Sequence, residues 1–223
     1  NMIKKFLNLG LQPLANQYQK KPIKLSIGKG QLYNLNIFFN TKSKLVSISK
    51  RIPSEKMFNS KYPYRSSMSH TMRVSFKVLS KKIKRKFNPN LLLEIGSNDG
   101  ALIKNFDKKK VIGIEPCNNL AKITLKKGFI TYNKYWNYKL AQKLKRKHGN
   151  IDLIYSANTL THISNLNDVF RSISYLLSKK GILIKHRCIY FLYVFLAGLP
   201  APLGGSSVDL ESWPKLSTTW VMQ

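Results

Sequence analysis

Carboxylates are scarce in this chain. Its 223 residues hold nine Asp and Glu against 39 Lys and Arg, a formal net charge of +30 at pH 7, and its pI is near 10.2. That scarcity excludes an acidic, solvating segment and gives weight to any acids that recur within one motif. Cysteine is nearly absent as well. Cys117 and Cys188 alone do not make a disulfide framework, and the chain reads as cytoplasmic. Long hydrophobic runs are missing too. The first residues, MIKKFLNLGLQPLAN, have a basic start but only a short apolar run and no small-residue cleavage site, so this stretch does not read as a signal peptide. Asn1 precedes Met2, so the sequence reads as starting inside a longer one. CIYFLYVFLAGLPAPLGG, from Cys188, falls short of the about 20 apolar residues of a membrane span, and Pro200 and Pro202 interrupt it, so a membrane anchor is not favoured.

The basic excess has a sharp reading and a bland one. The sharp one is a nucleic-acid or anionic surface. The bland one is a genome rich in A and T, which would raise Lys, Asn, Ile, Phe and Tyr together. The lysines are spread over most of the chain, and the clusters at 81–86, 108–110 and 143–147 fall near expected helix ends and loops, where solvated charge is ordinary. The bland reading is preferred, and a nucleic-acid partner is not favoured.

What is present centres on residues 91–100, LLLEIGSNDG. Leu91, Leu92, Leu93 and Ile95 suit one buried strand. Gly96 and Gly100 bracket a tight turn in which a side chain would hold the backbone away from a ligand. A helix is expected from about 101 to 107. Strand, glycine turn and helix make a nucleotide-cofactor crevice. About twenty residues on, VIGIEPC is a second apolar strand ending in Glu115, where a carboxylate would accept hydrogen bonds from ribose hydroxyls. The turn is not G-x-G-x-x-G, and Glu94 places a carboxylate at the strand end. A pyrophosphate would be repelled there and a cationic sulfonium ligand attracted, which favours S-adenosylmethionine over a dinucleotide. An ordinary strand-turn-helix without a ligand explains the spaced acids less well.

In order along the chain, residues 1–60 read as a small β-rich module, with runs at Pro22–Ile27, Tyr33–Phe39 and Lys44–Ser49, a turn at Gly28–Gly30 and a helix start at Ser54. Residues 61–90 connect. Within them Met68, Met72, Phe76, Leu79 and Ile83 recur at helical spacing, and Asn88-Pro89 ends that helix. From 91 to 185 the pattern alternates. Strands are expected at 91–96, 111–115, 129–131, 151–156 and 181–185, and helices near 117–127, 137–147 and 165–178. Such alternation predicts an α/β fold, a Rossmann-like parallel sheet with helices on both faces. Past Arg187 the only basic residue is Lys215. That break sets residues 186–223 apart as an unmatched tail, consistent with a shifted reading frame.

Five segments together resemble the sugar C-methyltransferases that act on nucleotide-linked deoxy-keto-sugars: LGLQPLAN at 9–16, KMFNSKYPYRSSMS at 56–69, LLLEIGSNDG at 91–100, VIGIEPC at 111–117 and IYSANTLTHISNLNDVF at 154–170. The resemblance covers about residues 3–185. It implies an N-terminal zinc module, a central methyltransferase domain and a C-terminal domain. The family's zinc site uses two Cys-x-x-Cys pairs; the second position here reads Asn40-Thr-Lys-Ser43 and the first would lie before residue 1. Asn40 and Ser43 are poor partners for zinc, so no metal is expected. The family's Glu-His pair beyond the fifth strand and its C-terminal domain have no match here.

The resemblance implies a methyl transfer to a sugar carbon beside a ketone. That chemistry needs a base, a donor for the enolate oxygen, and alignment. His162 is the acid/base residue carried over. Tyr62 and Tyr64 would line the sugar site, and Arg65 would meet the substrate diphosphate. For the cofactor, Gly96, Asn98 and Gly100 form the turn, Glu94 or Asp99 faces the amino-acid end, Glu115 holds the ribose, and Asn158 touches the cofactor near the fourth strand. Asp152 reads as a loop contact. Two rival readings are an RNA methyltransferase, on the strength of the charge, and a non-catalytic fragment that binds S-adenosylmethionine. The oligomeric state is open.

Overall fold

The structure, a computed structural model, describes residues 2–14, 32–48 and 52–186. Near its N-terminus β1 (Ile3–Pro13), β2 (Leu32–Asn40) and β3 (Val46–Ile48) form an antiparallel sheet in the order β1-β2-β3. Tyr33–Phe39 and part of Lys44–Ser49 are strands as expected; Pro22–Ile27 and Gly28–Gly30 lie outside the described residues. β1 was not anticipated, although Leu7, Leu9 and Leu11 alternate through it. Its register against β2 slips twice, after Lys5 and after Asn8, and such bulges blur a period-2 pattern. The turn after β2 is built by Asn40, whose Oδ1 accepts from the Lys42 and Ser43 N–H groups, both at 3.0 Å.

A short α1 (Ser54–Met57) leads into a mostly irregular stretch with one 3-10 turn at Ser66–Met68, and then α2 (His70–Lys86). Ser69 caps α2 by accepting from the Met72 N–H at 3.3 Å. The main sheet follows: β4 (Leu92–Ile95), β5 (Val111–Ile114), α3 (Asn118–Lys126), β6 (Ile130–Tyr132), α4 (Tyr138–His148), β7 (Ile151–Ala157), α5 (Leu166–Leu176) and β8 (Leu177–His186). The five strands are all parallel in the order β6-β5-β4-β7-β8. The chain steps outward from β4 to β6, then crosses to β7 and β8. The order therefore reverses beside β4, and the crevice at the strand carboxyl ends is where such sheets bind ligands.

Strand periodicity divides the core. Leu93, Ile95, Ile112, Ile114 and Ile154 pack against α4 and α5 through Leu144, Val169 and Ile173. Leu92, Val111, Leu153 and Tyr155 face the other way, against Phe76 and Ile83 of α2. All four residues of β4 are buried, and each fully buried Leu or Ile contributes roughly 1.5–3 kcal/mol. Glu94 shares its side of β4 with Leu92, so a carboxylate tops the layer beneath α2.

Two expectations are corrected. No α-helix forms over 101–107; only a 3-10 turn at Ile103–Asn105 is present. Asn105 is the cause. Its Nδ2 donates to the carbonyls of Ala101 and Leu102, both at 3.0 Å, which competes with propagation of the helix. At the far edge, α5 stops at Leu176 and β8 begins at once, earlier than Gly181. The pairing then jumps from Ile151–Leu177 to Leu153–Ile182. Ser178 to Gly181 fold back so tightly that a Cβ on Gly181 would sit 2.9 Å from the Ser178 backbone.

Candidate active site

Four loops at the carboxyl edge of the sheet converge, those after β4, β5, β6 and β7. The first is the glycine turn. The N–H groups of Gly96 and Ser97 both donate to the Ile114 carbonyl, at 2.8 and 3.0 Å, folding the turn over the end of β5. Gly96 has φ +78°, and a Cβ there would fall on the Thr159 side chain, 2.9 Å from Thr159 Cβ. Glycine is thus required both by conformation and by the close approach of the β7 loop. Asn98 also lies in the left-handed region, at φ +51°.

These loops enclose a cavity of about 350 Å³, within the usual range for ligand sites. Glu94, Gly96, Asn98, Glu115, Asn158, Tyr62, Tyr64 and His162 all line it. Gly100, Asp99 and Arg65 do not. Gly100 (φ +82°) shapes the turn from behind, Asp99 is turned toward Ser67, and Arg65 is exposed. Sequence reasoning missed Glu55, Phe58, Ser97, Tyr135 and Trp136, which complete the wall. Phe58 and Ser97 lie in motifs already quoted for the resemblance; Glu55, Tyr135 and Trp136 had no distinguishing pattern.

The electrostatics are unusual for this chain. Three of its nine carboxylates, Glu55, Glu94 and Glu115, line the cavity, and among the described residues no Lys or Arg does. Glu115 is 4% exposed. Its Oε2 accepts from the Asn98 N–H and its Oε1 from the Cys117 N–H, both at 2.8 Å. Burial pushes its carboxyl above the usual range, and these two N–H groups oppose the rise. Glu94, 3% exposed, is pushed well above that range by burial first and then by the nearby charges of Glu115 and Asp99. A positive ligand would relieve this strain, whereas an anion would add to it.

Three of the lining residues also carry buried polar atoms without a partner: Glu94 Oε2, Ser97 Oγ and Trp136 Nε1. Each costs about 1–3 kcal/mol if left dry. A ligand with several donors and acceptors fits that demand, and a cationic one fits the acids.

Across the cavity, the His162 ring lies 5.3 Å from Phe58, which in turn lies 5.4 Å from Tyr62. Desolvation lowers the His162 pKa below the ordinary 6.5, so its imidazole is neutral at pH 7. Burial, followed by the proximity of Cys117, Glu115 and Tyr64, raises Tyr62, so its phenol keeps its proton. Cys117 is free and buried, and burial followed by Glu115 raises its thiol, which makes it inert. Asp152 is a loop contact: its Oδ2 accepts from the Asn90 N–H at 3.0 Å. Among the described residues no cluster of His, Cys, Asp or Glu could hold a metal, and no helix is long and apolar enough to cross a membrane.

A family model described as "Methyltransferase domain" matches residues 64–187. C-methyltransferase NovU of Streptomyces niveus is 28% identical over 95 residues, covering 42% of this chain and 23% of that protein. The chain therefore spans under a quarter of the curated relative it matches. Among solved structures, the plantazolicin methyltransferase BpumL in complex with SAH and a pentazolic desmethylPZN analog aligns at a TM-score of 0.45 and 12% identity, covering 61% of this chain and 55% of that one. Streptomyces venezuelae DesVI aligns at 0.38 and 12%, covering 51% and 49%.

Proposed function

The chain belongs to the methyltransferase-domain family, and from that premise we propose that it is an S-adenosylmethionine-dependent C-methyltransferase acting on a nucleotide-linked deoxy-keto-sugar. The observation that carries the cofactor is the acid-lined crevice, three carboxylates with no basic lining residue among those described, in a chain of charge +30. After its two backbone bonds and the bond from the Cys117 thiol, Glu115 keeps acceptor capacity for a ribose hydroxyl. Glu94 faces the cationic amino-acid and sulfonium end. Ser97 and Trp136 offer donors, and Gly96 and Asn98 supply the turn against which the ligand rests. When bound, S-adenosylmethionine supplies an electrophilic methyl group.

The acceptor side follows from the opposite wall. His162, neutral at pH 7, takes the proton from the carbon beside the ketone. Tyr62 or Tyr64 donates a phenolic hydrogen bond to the oxygen as it becomes an enolate. Because no described cation lines the cavity, phosphates belong outside it, and we assign the diphosphate to Arg65, exposed on the same segment as Tyr62 and Tyr64. The C-methyltransferase relative and the PLAN and YPYRSS segments support a carbon acceptor on a sugar. The test is to incubate the chain with S-adenosylmethionine and a thymidine-diphosphate keto-sugar and to look by mass spectrometry for a gained methyl. Transfer supports the reading. Tight binding of the methyl donor without transfer would assign a cofactor-binding fragment instead.

A further inference from the structure

The strip from Ser54 to Ser67 runs along the cavity and is tied to the segments that follow each of β4, β5, β6 and β7. Ser54 Oγ meets the His162 carbonyl after β7 at 3.5 Å. The Tyr135 hydroxyl, after β6, donates to the Phe58 carbonyl at 2.5 Å. Asn119, after β5, donates from Nδ2 to the Tyr62 carbonyl at 2.8 Å. The remaining ties come from two adjacent residues of the glycine turn. Asn98 Nδ2 donates to the Tyr64 carbonyl at 3.2 Å, and its Oδ1 accepts from the Ser66 N–H at 2.9 Å. Asp99 accepts from the Ser67 N–H at 3.2 Å and from the Ser67 hydroxyl.

The cofactor reading gave Asn98 and Asp99 to the ligand. Their side chains point elsewhere. The backbone N–H of Asn98 binds Glu115, on the ligand side, while its amide group holds the strip that carries Tyr62 and Tyr64. We propose that Asn98 and Asp99 are positioning residues that couple occupancy of the cofactor crevice to the placement of Tyr62 and Tyr64. A ligand against Gly96, Asn98 and Glu115 fixes the turn backbone, and the two side chains pass that order to residues 64–67. Arg73 extends the tie, donating from Nη1 to the Ser67 carbonyl at 2.7 Å, so α2 is engaged as well. The coupling is reciprocal: an acceptor held by Tyr62 and Tyr64 tightens the hold on the methyl donor.

This inference rests on the cofactor reading above. Ser67 does not line the cavity, so Ser67→Ala loosens the tie and leaves ligand contacts intact, while Ser67→Thr keeps the hydroxyl. The experiment is hydrogen exchange over residues 58–69 in the wild type, both variants and Asn98→Ala, with and without S-adenosylmethionine, alongside calorimetry. We expect the ligand to slow exchange there about tenfold in the wild type and Ser67→Thr, and about twofold or less in Ser67→Ala, which still binds. A general loss of stability would shift bound and free forms alike and leave the difference unchanged. Equal protection in the wild type and Ser67→Ala, or Ser67→Thr behaving as Ser67→Ala, overturns the coupling through the Asp99–Ser67 hydroxyl bond, and equal protection in Asn98→Ala as well overturns the coupling altogether. No binding of S-adenosylmethionine by the wild type overturns the cofactor reading together with it.

Discussion

Replacing Glu115 by Ala separates two jobs that one carboxylate does. In the free protein it accepts the N–H groups of Asn98 and Cys117, each at 2.8 Å, in a site 4% exposed. Losing that acceptor leaves two N–H groups short of a partner and costs about 2–6 kcal/mol of stability, at about 1–3 kcal/mol each. In the complex the same carboxylate would take the ribose hydroxyls. A charged hydrogen bond contributes about 1.5–3 kcal/mol, so affinity for S-adenosylmethionine should drop at least about tenfold for each ribose hydroxyl released. Asp152→Ala is the control, since Asp152 also accepts backbone N–H groups, from Asn90 and Leu91, but lies at the opposite end of the sheet. Denaturant midpoints and isothermal calorimetry, read on the same samples, give both numbers. Both variants lose stability, but only Glu115→Ala loses affinity. If folded Glu115→Ala binds the methyl donor as tightly as the parent, the ribose assignment is refuted.

Other consequences follow from the same geometry. Gly96→Ala meets both a positive φ and the Thr159 side chain and should cost about 2–4 kcal/mol in chemical denaturation; a loss within about 0.5 kcal/mol would mean that the β7 loop does not press on the turn. The carboxyls of Glu94 and Glu115 are raised by folding, so their contribution to stability is fully present below the ordinary glutamate range and is lost as pH rises through the raised values. Ligand affinity should run the other way, rising with pH as the two acids ionise, which calorimetry across that window checks. Glu94→Gln should accordingly raise the denaturant midpoint of the free protein at neutral pH and weaken S-adenosylmethionine; tighter binding in that variant would contradict the electrostatic reading. His162→Ala should spare methyl-donor binding but abolish transfer, and the parent's rate should rise with pH around a midpoint below 6.5, because desolvation lowers the His162 pKa.

Much of the main sheet was legible because parallel strands buried on both faces read as short apolar runs, and 91–96, 111–115 and 151–156 were placed within a residue or two. The expected helix at 101–107 failed because one side chain, Asn105, took the carbonyls that the helix needed, a competition that apolar periodicity does not register. Ile130–Tyr132 was expected one residue earlier, at Phe129, which packs in the core instead of pairing. In the site, Glu94 and Glu115 were legible because strand ends fix where a carboxylate lands. Glu55, Tyr135 and Trp136 were not, because they reach the cavity through tertiary folding of segments with no motif. Asn98 and Asp99 show the opposite limit. Their place in the turn could be read, but not that their side chains turn toward Ser66 and Ser67.

The central claim is that an acid-lined bend beside β4 selects a cationic methyl donor and not an anionic dinucleotide. Calorimetric titration of the unmodified chain with S-adenosylmethionine and, separately, with NAD tests it most directly. The account predicts saturable, one-site binding of S-adenosylmethionine and none of NAD at the same concentrations. Binding of NAD as tight as that of S-adenosylmethionine, or no binding of S-adenosylmethionine at all, would contradict it.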